Sequence, residues 1–360
     1  MALLVDATTA QHTRGIGTVI AGIVPELARA EAGKTVIAVG PDFPGAGDPA
    51  MQRIALAHTR IGRLLFQRLL LPLDVALLGL RSRQVDRVLL LDAYLPLIRP
   101  QRGVRYAALV HDVLPLTHPH LWPASKRAVK RAAFASLRRS RATIFTSTEH
   151  NASAIRNLMQ REARVVRFGC GQLTDAEADD ALETPLPARG SHLVYVGAFE
   201  PRKGVIGLVD IFEHAVAHLD RELRLILIGE GDRDYVRALT ERIARSPARH
   251  FIRVVRGPDR TTTLHTMRTA TALLFPSTAE GFGLPIVEAF ALGTPVVASD
   301  LPEIRSWADN AILYAPSTRP LDWLEPIATT VTSDPVHRRS GQEFAKRFRW
   351  SRGAQEISDF

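Results

Sequence analysis

Length, composition and charge describe a globular chain. Its 360 residues are enough for two ordinary domains, and a hydrophobic share of 46% supports buried cores. The single cysteine, Cys170, excludes an internal disulfide and a cysteine-rich zinc site. The apolar start of the chain, residues 2–5, is too short for the core of an export signal, so we expect a cytoplasmic protein.

The net charge of +9 at pH 7 is unevenly distributed. The chain up to Gln172 is strongly basic, whereas the remainder is slightly acidic. A basic half suggests a polyanionic partner, although the Arg-rich composition of the whole chain offers a simpler explanation. The basic segments lack the interleaved aromatic residues of single-strand nucleic-acid binders, so we predict no nucleic-acid partner.

The first half of the chain alternates predicted strands and helices. A strand ends at Asp6, and a loop with Gly15 and Gly17 leads into an amphipathic helix. Further strands are predicted at 35–39, 86–91, 105–110, 143–147 and 165–168. Taken alone, the glycine pair is more typical of a packing turn than of a ligand site.

Two segments of the first half are candidates for contact with a membrane surface. Residues 62–80 are leucine-rich, but charged residues and a proline interrupt them before they approach the ~20 residues of a membrane span. We predict an amphipathic helix there. A second helix, at 125–141, carries a cluster of cations: Lys126, Arg127, Lys130 and Arg131. The simplest interpretation of that helix is a solvated basic face, and peripheral contact with an anionic membrane remains the alternative.

The pair His111-Asp112 follows the predicted strand at 105–110. Such a pair after a strand is more often structural than catalytic. Asp112 either orients the histidine or caps the following turn.

The second half begins after an acidic, alanine-rich segment at 173–189, which we interpret as a linker. A strand at 192–196 leads into Glu200-Pro201-Arg202-Lys203. Two adjacent cations in such a loop are unremarkable alone. Strands at 223–228 and 252–256 and a short helix within 258–271 follow.

Residues 271–300 form the most informative segment of the chain. We predict a strand at 271–275, then a turn-rich loop, a helix that begins near Pro285 and a second strand at 294–298. The loop and the N-terminus of the helix suit an anion. Two carboxylates, Glu280 and Glu288, frame that loop. Carboxylates beside an anion site suit a ligand with vicinal hydroxyls, such as a nucleotide-sugar. Alone, Glu280 could be a loop residue and Glu288 a solvated helix residue.

This segment resembles the signature of a known family. Glu280-Gly281-Phe282-Gly283-Leu284-Pro285, followed by Glu288 with seven residues between the glutamates, is similar to the motif of retaining nucleotide-sugar glycosyltransferases of family 4. The similarity continues through 289–303 and covers nearly the whole chain, most weakly at 40–105. In places the chain departs from the pattern: Ala198 stands where some members have an arginine, and Gly204 where many have an asparagine.

The resemblance implies a role for each candidate residue. The backbone at Gly15 and Gly17 would face the donor diphosphate, His111 would reach the donor sugar, and Arg202 and Lys203 would hold the phosphates. Glu280 would hold sugar hydroxyls, and Glu288 the ribose diol. The remaining donor-binding positions are in the glycine loop: Gly281, Phe282, Gly283 and Leu284.

The predicted fold is α/β, with two doubly wound Rossmann-like domains in the GT-B arrangement. We predict an N-terminal acceptor-side domain at 1–172, a linker at 173–189 and a C-terminal donor-binding domain at 190–342. A C-terminal helix at 343–360 would cross back onto the first domain.

The predicted function is retaining transfer of a hexosyl group from a nucleotide diphosphate sugar to an acceptor hydroxyl, with mannosyl from GDP-mannose favoured. No metal and no other cofactor is expected, because no Asp-x-Asp type cluster follows a strand. The acceptor would be a glycan, a lipid-linked sugar or a small molecule, including a natural product. The alternatives from other classes are a non-catalytic nucleotide-sugar binder and a sugar-nucleotide epimerase.

Overall fold

The computed structural model describes most of the chain, in two compact units. The described residues are 2–7, 15–31, 35–40, 51–55, 85–93, 103–188, 190–219, 222–316, 318–332 and 335–360. One unit comprises Met1–Gly171 together with Phe348–Phe360, and the other comprises Gln172–Arg347. Each is an α/β structure built on one parallel sheet, as the sequence predicts.

The described part of the first unit has a seven-stranded parallel sheet. Its strands are β1 (Ala2–Asp6), β2 (Thr35–Gly40), β3 (Met51–Ala55), β4 (Val85–Leu90), β5 (Arg105–Leu109), β6 (Thr143–Thr146) and β7 (Arg164–Val165). Their order is β3-β2-β1-β4-β5-β6-β7, so the direction of winding reverses between β1 and β4. Strand β3 was not predicted, and β7 lies one residue earlier and is shorter than expected.

The helices of the first unit agree with the apolar periodicity of the sequence. They are α1 (Gly15–Ala30), α2 (Leu114–Thr117), α3 (Ala124–Arg139) and α4 (Glu149–Met159). The predicted apolar face of α1 is buried throughout: Val19, Ile20, Ile23, Val24 and Leu27. The prediction of a loop at Gly15 and Gly17 was wrong, because both glycines lie in the first turn of α1.

The second unit has a six-stranded parallel sheet among its described residues. Its strands are β8 (His192–Val196), β9 (Arg224–Ile228), β10 (Ile252–Val255), β11 (Ala272–Phe275), β12 (Val296–Ser299) and β13 (Leu313–Ala315). The order is β10-β9-β8-β11-β12-β13, which places the reversal between β8 and β11. Parallel sheets are covered by helices on both faces, and these strands are accordingly almost continuous apolar runs.

Eight helices are described in the second unit: α5 (Asp175–Glu183), α6 (Val205–His218), α7 (Arg233–Ala244), α8 (Arg260–Thr269), α9 (Leu284–Ala291), α10 (Pro302–Ala308), α11 (Leu324–Thr332) and α12 (Pro335–Ala345). Helix α5 lies within the segment interpreted as a linker. Thr174 and Glu177 form a capping box at its start, which explains why an acidic, alanine-rich stretch is helical here.

The end of the chain returns to the first unit, as predicted. A last helix, α13 (Trp350–Ser358), belongs to that unit with the buried Trp350 as its anchor. A Cβ atom at Gly22 or at Gly169 would lie 2.3 Å from the Trp350 ring, so both glycines leave room for it. The tail is two helices rather than the single one expected, since α12 ends at Ala345.

Within the described residues, no helix combines the length and the apolar character needed to cross a membrane. The leucine-rich stretch at 62–80, predicted as an amphipathic helix, lies outside the described residues.

Candidate functional site in the second unit

The candidate site lies where the second sheet reverses its winding. The loop after β8 and the loop after β11 leave the carboxyl ends of two neighbouring strands. In open α/β sheets, this reversal is the position where ligands bind. The first loop carries Arg202 and Lys203, and the second carries Glu280 and the glycines that precede α9.

Arg202, Lys203 and Glu280 form one ionic cluster. The Glu280 carboxylate is buried, and it accepts hydrogen bonds from Lys203 Nζ at 2.5 Å and from Arg202 at 3.3 Å. Ser277, which is also fully buried, donates its hydroxyl to the same carboxylate at 2.5 Å. Arg202 also pairs with Glu200 at 2.7 Å. The structure therefore joins the two cations predicted for phosphates and the carboxylate predicted for sugar hydroxyls.

The charges of this cluster depend on one another. Burial would raise the pKa of Glu280, but Lys203 and Arg202 outweigh that effect and hold the pKa below its usual value. Burial also lowers the pKa of Lys203, and the Glu280 charge offsets only part of this effect. The result is an ionised carboxylate beside two cations in a largely buried site, where electrostatic interactions are strong.

The two loops are held together by their backbones. Thr278 donates its backbone N–H to Arg202 O at 2.7 Å. Gly204 has a φ of +67°, and a Cβ atom there would lie 2.2 Å from Pro276 O. Only glycine combines this left-handed conformation with so close an approach. This contact supplies a structural reason for the glycine at a position where relatives have asparagine.

The glycine loop ends in a helix N-terminus with no side-chain cap. Gly283 has a φ of +99° and precedes Leu284, the first residue of α9, while Pro285 takes the second position. The first N–H groups of a helix lack partners within the helix and carry partial positive charge, so they suit an anion. The ring of Phe282 stacks on Trp307 with centroids 4.6 Å apart.

Glu288 is buried one turn into α9, so it is not a solvated helix residue. Its Oε1 accepts a hydrogen bond from the backbone N–H of Gln172 at 2.7 Å. Its Oε2 is buried and has no hydrogen-bond partner in the described part of the chain. Burial raises the pKa of Glu288 to about 7. A buried carboxyl oxygen of this kind is an available acceptor for a hydroxyl ligand.

His111 belongs to the first unit, at the carboxyl end of β5. Its Nε2 donates to Leu91 O at 2.8 Å, which leaves Nδ1 as an acceptor in the neutral ring. Burial lowers the pKa of His111, so the ring is neutral at pH 7. Asn151 holds the backbone carbonyl of His111 at 3.1 Å. Asp112 accepts from Leu114 N at 3.0 Å, so it caps the following turn, one of the two predicted roles.

Three residues that contact the predicted ones were not predicted from the sequence. Ser277 donates a hydrogen bond to Glu280, and Trp307 donates one to Phe282. Gln172 donates a hydrogen bond to Glu288. The serine is close to Glu280 in the chain and could have been found from that spacing. Gln172 and Trp307 lie 116 and 25 residues from their partners, and no local pattern marks them. Among the described residues, no group of three or more His, Cys, Asp and Glu is placed to hold a metal ion.

Comparison with known proteins agrees with this geometry. Residues 190–332 match the family model for glycosyl transferases group 1. A phosphatidyl-myo-inositol mannosyltransferase of Mycobacterium tuberculosis is 29% identical over 194 residues, which cover 51% of this chain and 50% of that protein. The O-antigen chain mannosyltransferase B of Escherichia coli is 28% identical over 227 residues, which cover 60% of this chain and 58% of that protein.

A solved structure extends the likeness to the whole chain. Anabaena Alr3699/HepE in complex with UDP-glucose has a TM-score of 0.72 at 16% identity, covering 100% of this chain and 98% of that one. The fold is thus that of a two-domain GT-B protein. Residues 190–332 are similar to glycosyl transferases group 1, and the two mannosyltransferases named above are similar over about half of the chain. The chain spans about half the length of the curated relatives that it matches.

Proposed function

We propose that the protein transfers a hexosyl group from a nucleotide diphosphate sugar to an acceptor hydroxyl, with retention at the anomeric carbon. The observation that carries the proposal is the ionic cluster of Arg202, Lys203 and Glu280 beside the uncapped N-terminus of α9. Cations and backbone N–H groups suit a diphosphate, and the carboxylate suits sugar hydroxyls.

The reaction breaks the bond between the anomeric carbon and the phosphate oxygen. Negative charge then develops on the departing nucleoside diphosphate, while the sugar becomes oxocarbenium-like. Lys203, Arg202 and the α9 N–H groups are fixed in advance where that charge develops, which is the usual source of the largest rate effect. The acceptor oxygen forms the new bond, and its proton passes to the departing phosphate.

Binding of a donor changes the partners of Glu280. The diphosphate supplies a second anion for Lys203 and Arg202, which relieves Glu280 of part of its bonding. Its oxygens are then available to the hydroxyls of the hexose. Glu288 takes the ribose diol through its buried Oε2, and His111 accepts a hydroxyl of the hexose at Nδ1.

The favoured donor is GDP-mannose, and the favoured acceptor is a glycan or a glycolipid of the cell envelope. Two relatives are named as mannosyltransferases, one for phosphatidyl-myo-inositol and one for an O-antigen chain. Both names support a mannosyl donor and an envelope acceptor. The structural neighbour that binds UDP-glucose supports a nucleotide-sugar without favouring guanine.

The reaction needs no metal ion, because Arg202, Lys203 and the α9 N-terminus meet the charge of the diphosphate. We expect transfer activity to survive excess EDTA. Loss of activity that manganese or magnesium restores would show that a metal neutralises the diphosphate.

The test begins with a thermal-shift panel of GDP-, UDP- and dTDP-sugars. A donor at a hundred times its dissociation constant adds roughly 2.7 kcal/mol of stability. Incubating the best donor with candidate acceptors then separates the classes of protein. A new glycoside supports transfer, whereas a changed sugar nucleotide without acceptor indicates an epimerase. Binding without any product indicates a non-catalytic binder, and no shift with any donor contradicts the proposal.

A further inference from the structure

The peptide between Phe282 and Gly283 is contacted by a side chain from another helix. Trp307, on α10, donates its indole N–H to Phe282 O at 3.1 Å. Its ring stacks on the Phe282 ring, with centroids 4.6 Å apart and an angle of 24° between the planes. One residue thus contacts both the side chain and the backbone of Phe282.

Fixing a carbonyl also fixes the N–H group of the same peptide. The peptide unit is planar and trans, so the Phe282 carbonyl and the Gly283 N–H point in opposite directions. Gly283 has a φ of +99° and no Cβ, so its backbone has more freedom to rotate than that of a residue with a side chain. The Trp307 hydrogen bond removes that freedom on one side of Gly283.

Neighbouring residues hold Trp307 and its helix in place. The helix α10 follows β12 directly, and an ion pair between Arg305 and Asp300 joins the helix to the end of that strand. The ring of Phe344 lies against Trp307, with centroids 6.3 Å apart. A site held by packed residues on regular elements keeps its geometry more closely than one on a free loop.

We propose that Trp307 is a positioning residue of the donor site, which sets the direction of the Gly283 N–H toward the donor diphosphate. This inference rests on the proposed function, because the diphosphate is the ligand that the N–H meets. Trp307 does not touch the reacting atoms. It acts through the Phe282–Gly283 peptide.

The competing explanation is that Trp307 only packs. Two variants separate the explanations: Trp307→Phe keeps an aromatic ring beside Phe282 but removes the indole N–H, and Trp307→Leu removes the stack as well. The matched control is Trp323→Phe, since Trp323 is fully buried in a hydrophobic cluster of the same unit that contains neither Phe282 nor Trp307. Lys203→Ala serves as a positive control for lost phosphate binding.

The experiment measures binding of GDP, UDP and dTDP to the full chain by calorimetry, together with the melting temperature of each variant. We expect Trp307→Phe to weaken the tightest of these nucleotides by about two- to tenfold, the range for one lost hydrogen bond. Trp307→Leu should weaken it by about 10- to 100-fold. Trp323→Phe should lower the melting temperature at least as much as Trp307→Phe while leaving affinity unchanged.

Two outcomes overturn the inference while leaving the proposed function intact. In the first, wild type binds a nucleotide, Lys203→Ala loses it, and Trp307→Phe binds as wild type does. In the second, Trp323→Phe weakens binding as much as Trp307→Phe, which would indicate general loosening of the unit. If wild type binds none of the three nucleotides, the proposed function itself fails. Should Trp307→Leu not fold, Trp307→Phe alone decides.

Discussion

Lys203 is the residue on which the proposed chemistry depends most directly. Its ammonium group is almost enclosed, lying between the Glu280 carboxylate and the face of Phe275, whose ring centroid is 5.2 Å from Nζ. Burial lowers the pKa of this ammonium group, and the carboxylate opposes that lowering. The aromatic face also stabilises the cation. The same enclosure fixes the charge in place before a donor arrives.

Replacement of Lys203 by alanine is expected to act mainly on the chemical step. Charge on the departing diphosphate is larger in the transition state than in the bound donor, so a fixed cation stabilises the former more. We expect turnover at saturating donor to fall by about 10²–10³. The control is Lys346→Ala, which removes an exposed lysine paired with Glu343 in the same unit. Near-normal turnover of Lys203→Ala would show that Lys203 is not a phosphate ligand.

The buried carboxyl of Glu288 predicts a pH dependence of folding stability that can be tested without a ligand. Its pKa in the folded protein is about 7, above the usual value of 4.5, because the carboxyl is buried. The folded protein therefore holds this proton more tightly than the unfolded chain does. The resulting stability is fully present below pH 4.5 and is lost as the pH rises through about 7. Glu288→Gln keeps an acceptor for Gln172 N and does not titrate.

The melting temperature of Glu288→Gln relative to wild type should thus rise between pH 5 and pH 8. Glu213→Gln is the matched control, because Arg242 binds that carboxylate at 2.7–2.8 Å and lowers its pKa. The difference in melting temperature between Glu213→Gln and wild type should stay constant from pH 5 to pH 8. Parallel curves for Glu288→Gln and wild type would contradict a buried, proton-binding Glu288.

Loops at the carboxyl ends of parallel strands are the elements that build the site. The loop after β8 and the loop after β11 meet through Gly204 and Pro276, where backbone approaches backbone. We expect Gly204→Ala to destabilise the protein by about 1–3 kcal/mol, the usual cost of a strained left-handed residue, and to abolish nucleotide binding.

The matched variant is Gly207→Ala, three residues further along and inside α6. A Cβ atom at Gly207 meets nothing within 4 Å, so alanine should stabilise the helix by about 0.5–1 kcal/mol. Chemical denaturation and nucleotide calorimetry on both variants provide the measurement. Equal effects of the two alanines would show that the two loops are not in close contact.

Elements with continuous apolar runs between glycine or proline breaks were predictable. Strand β8 lies at its predicted residues, and β9 to β12 lie within one or two residues of them. Strand β3 was missed because its sequence, with Gln52 and Arg53 in the middle, is short and mixed. The break between α12 and α13 was missed because the tail keeps helical periodicity across it.

The site was predictable in its composition but not in its internal bonding. The motif residues Arg202, Lys203 and Glu280 were identified from spacing and resemblance, and the structure brings these three together. Their mutual ion pairs, the burial of Glu288 and the contact of Trp307 arise from tertiary packing between distant segments. Such contacts leave no periodic signal in the chain.

At the scale of the whole molecule, charge separates the two halves of the chain. The basic excess lies in the half that ends at Gln172, and part of it is visible on α3. Lys126 and Arg131 are exposed there, and neither these nor Arg127 forms an ion pair with another described residue. Lys130 is the exception, since it pairs with Asp92 at 3.4 Å. Unpaired cations on one helix are available to an anionic partner.

The last prediction is that the protein binds anionic membranes peripherally and in a salt-sensitive way. Each Lys or Arg near an anionic leaflet contributes about 1 kcal/mol of attraction, which falls off within a Debye length. Replacing both Lys126 and Arg131 by glutamate should therefore weaken binding to phosphatidylserine vesicles by about 10- to 100-fold. Co-sedimentation at low and high salt measures this effect, with neutral vesicles as the reference lipid.

Replacing Arg237 and Arg245 by glutamate is the matched control, since both are exposed on or beside α7 of the other unit. Equal and negligible binding to both kinds of vesicle would leave a free glycan or small molecule as the better acceptor, and equal losses in the two double variants would assign the attraction to net charge rather than to α3.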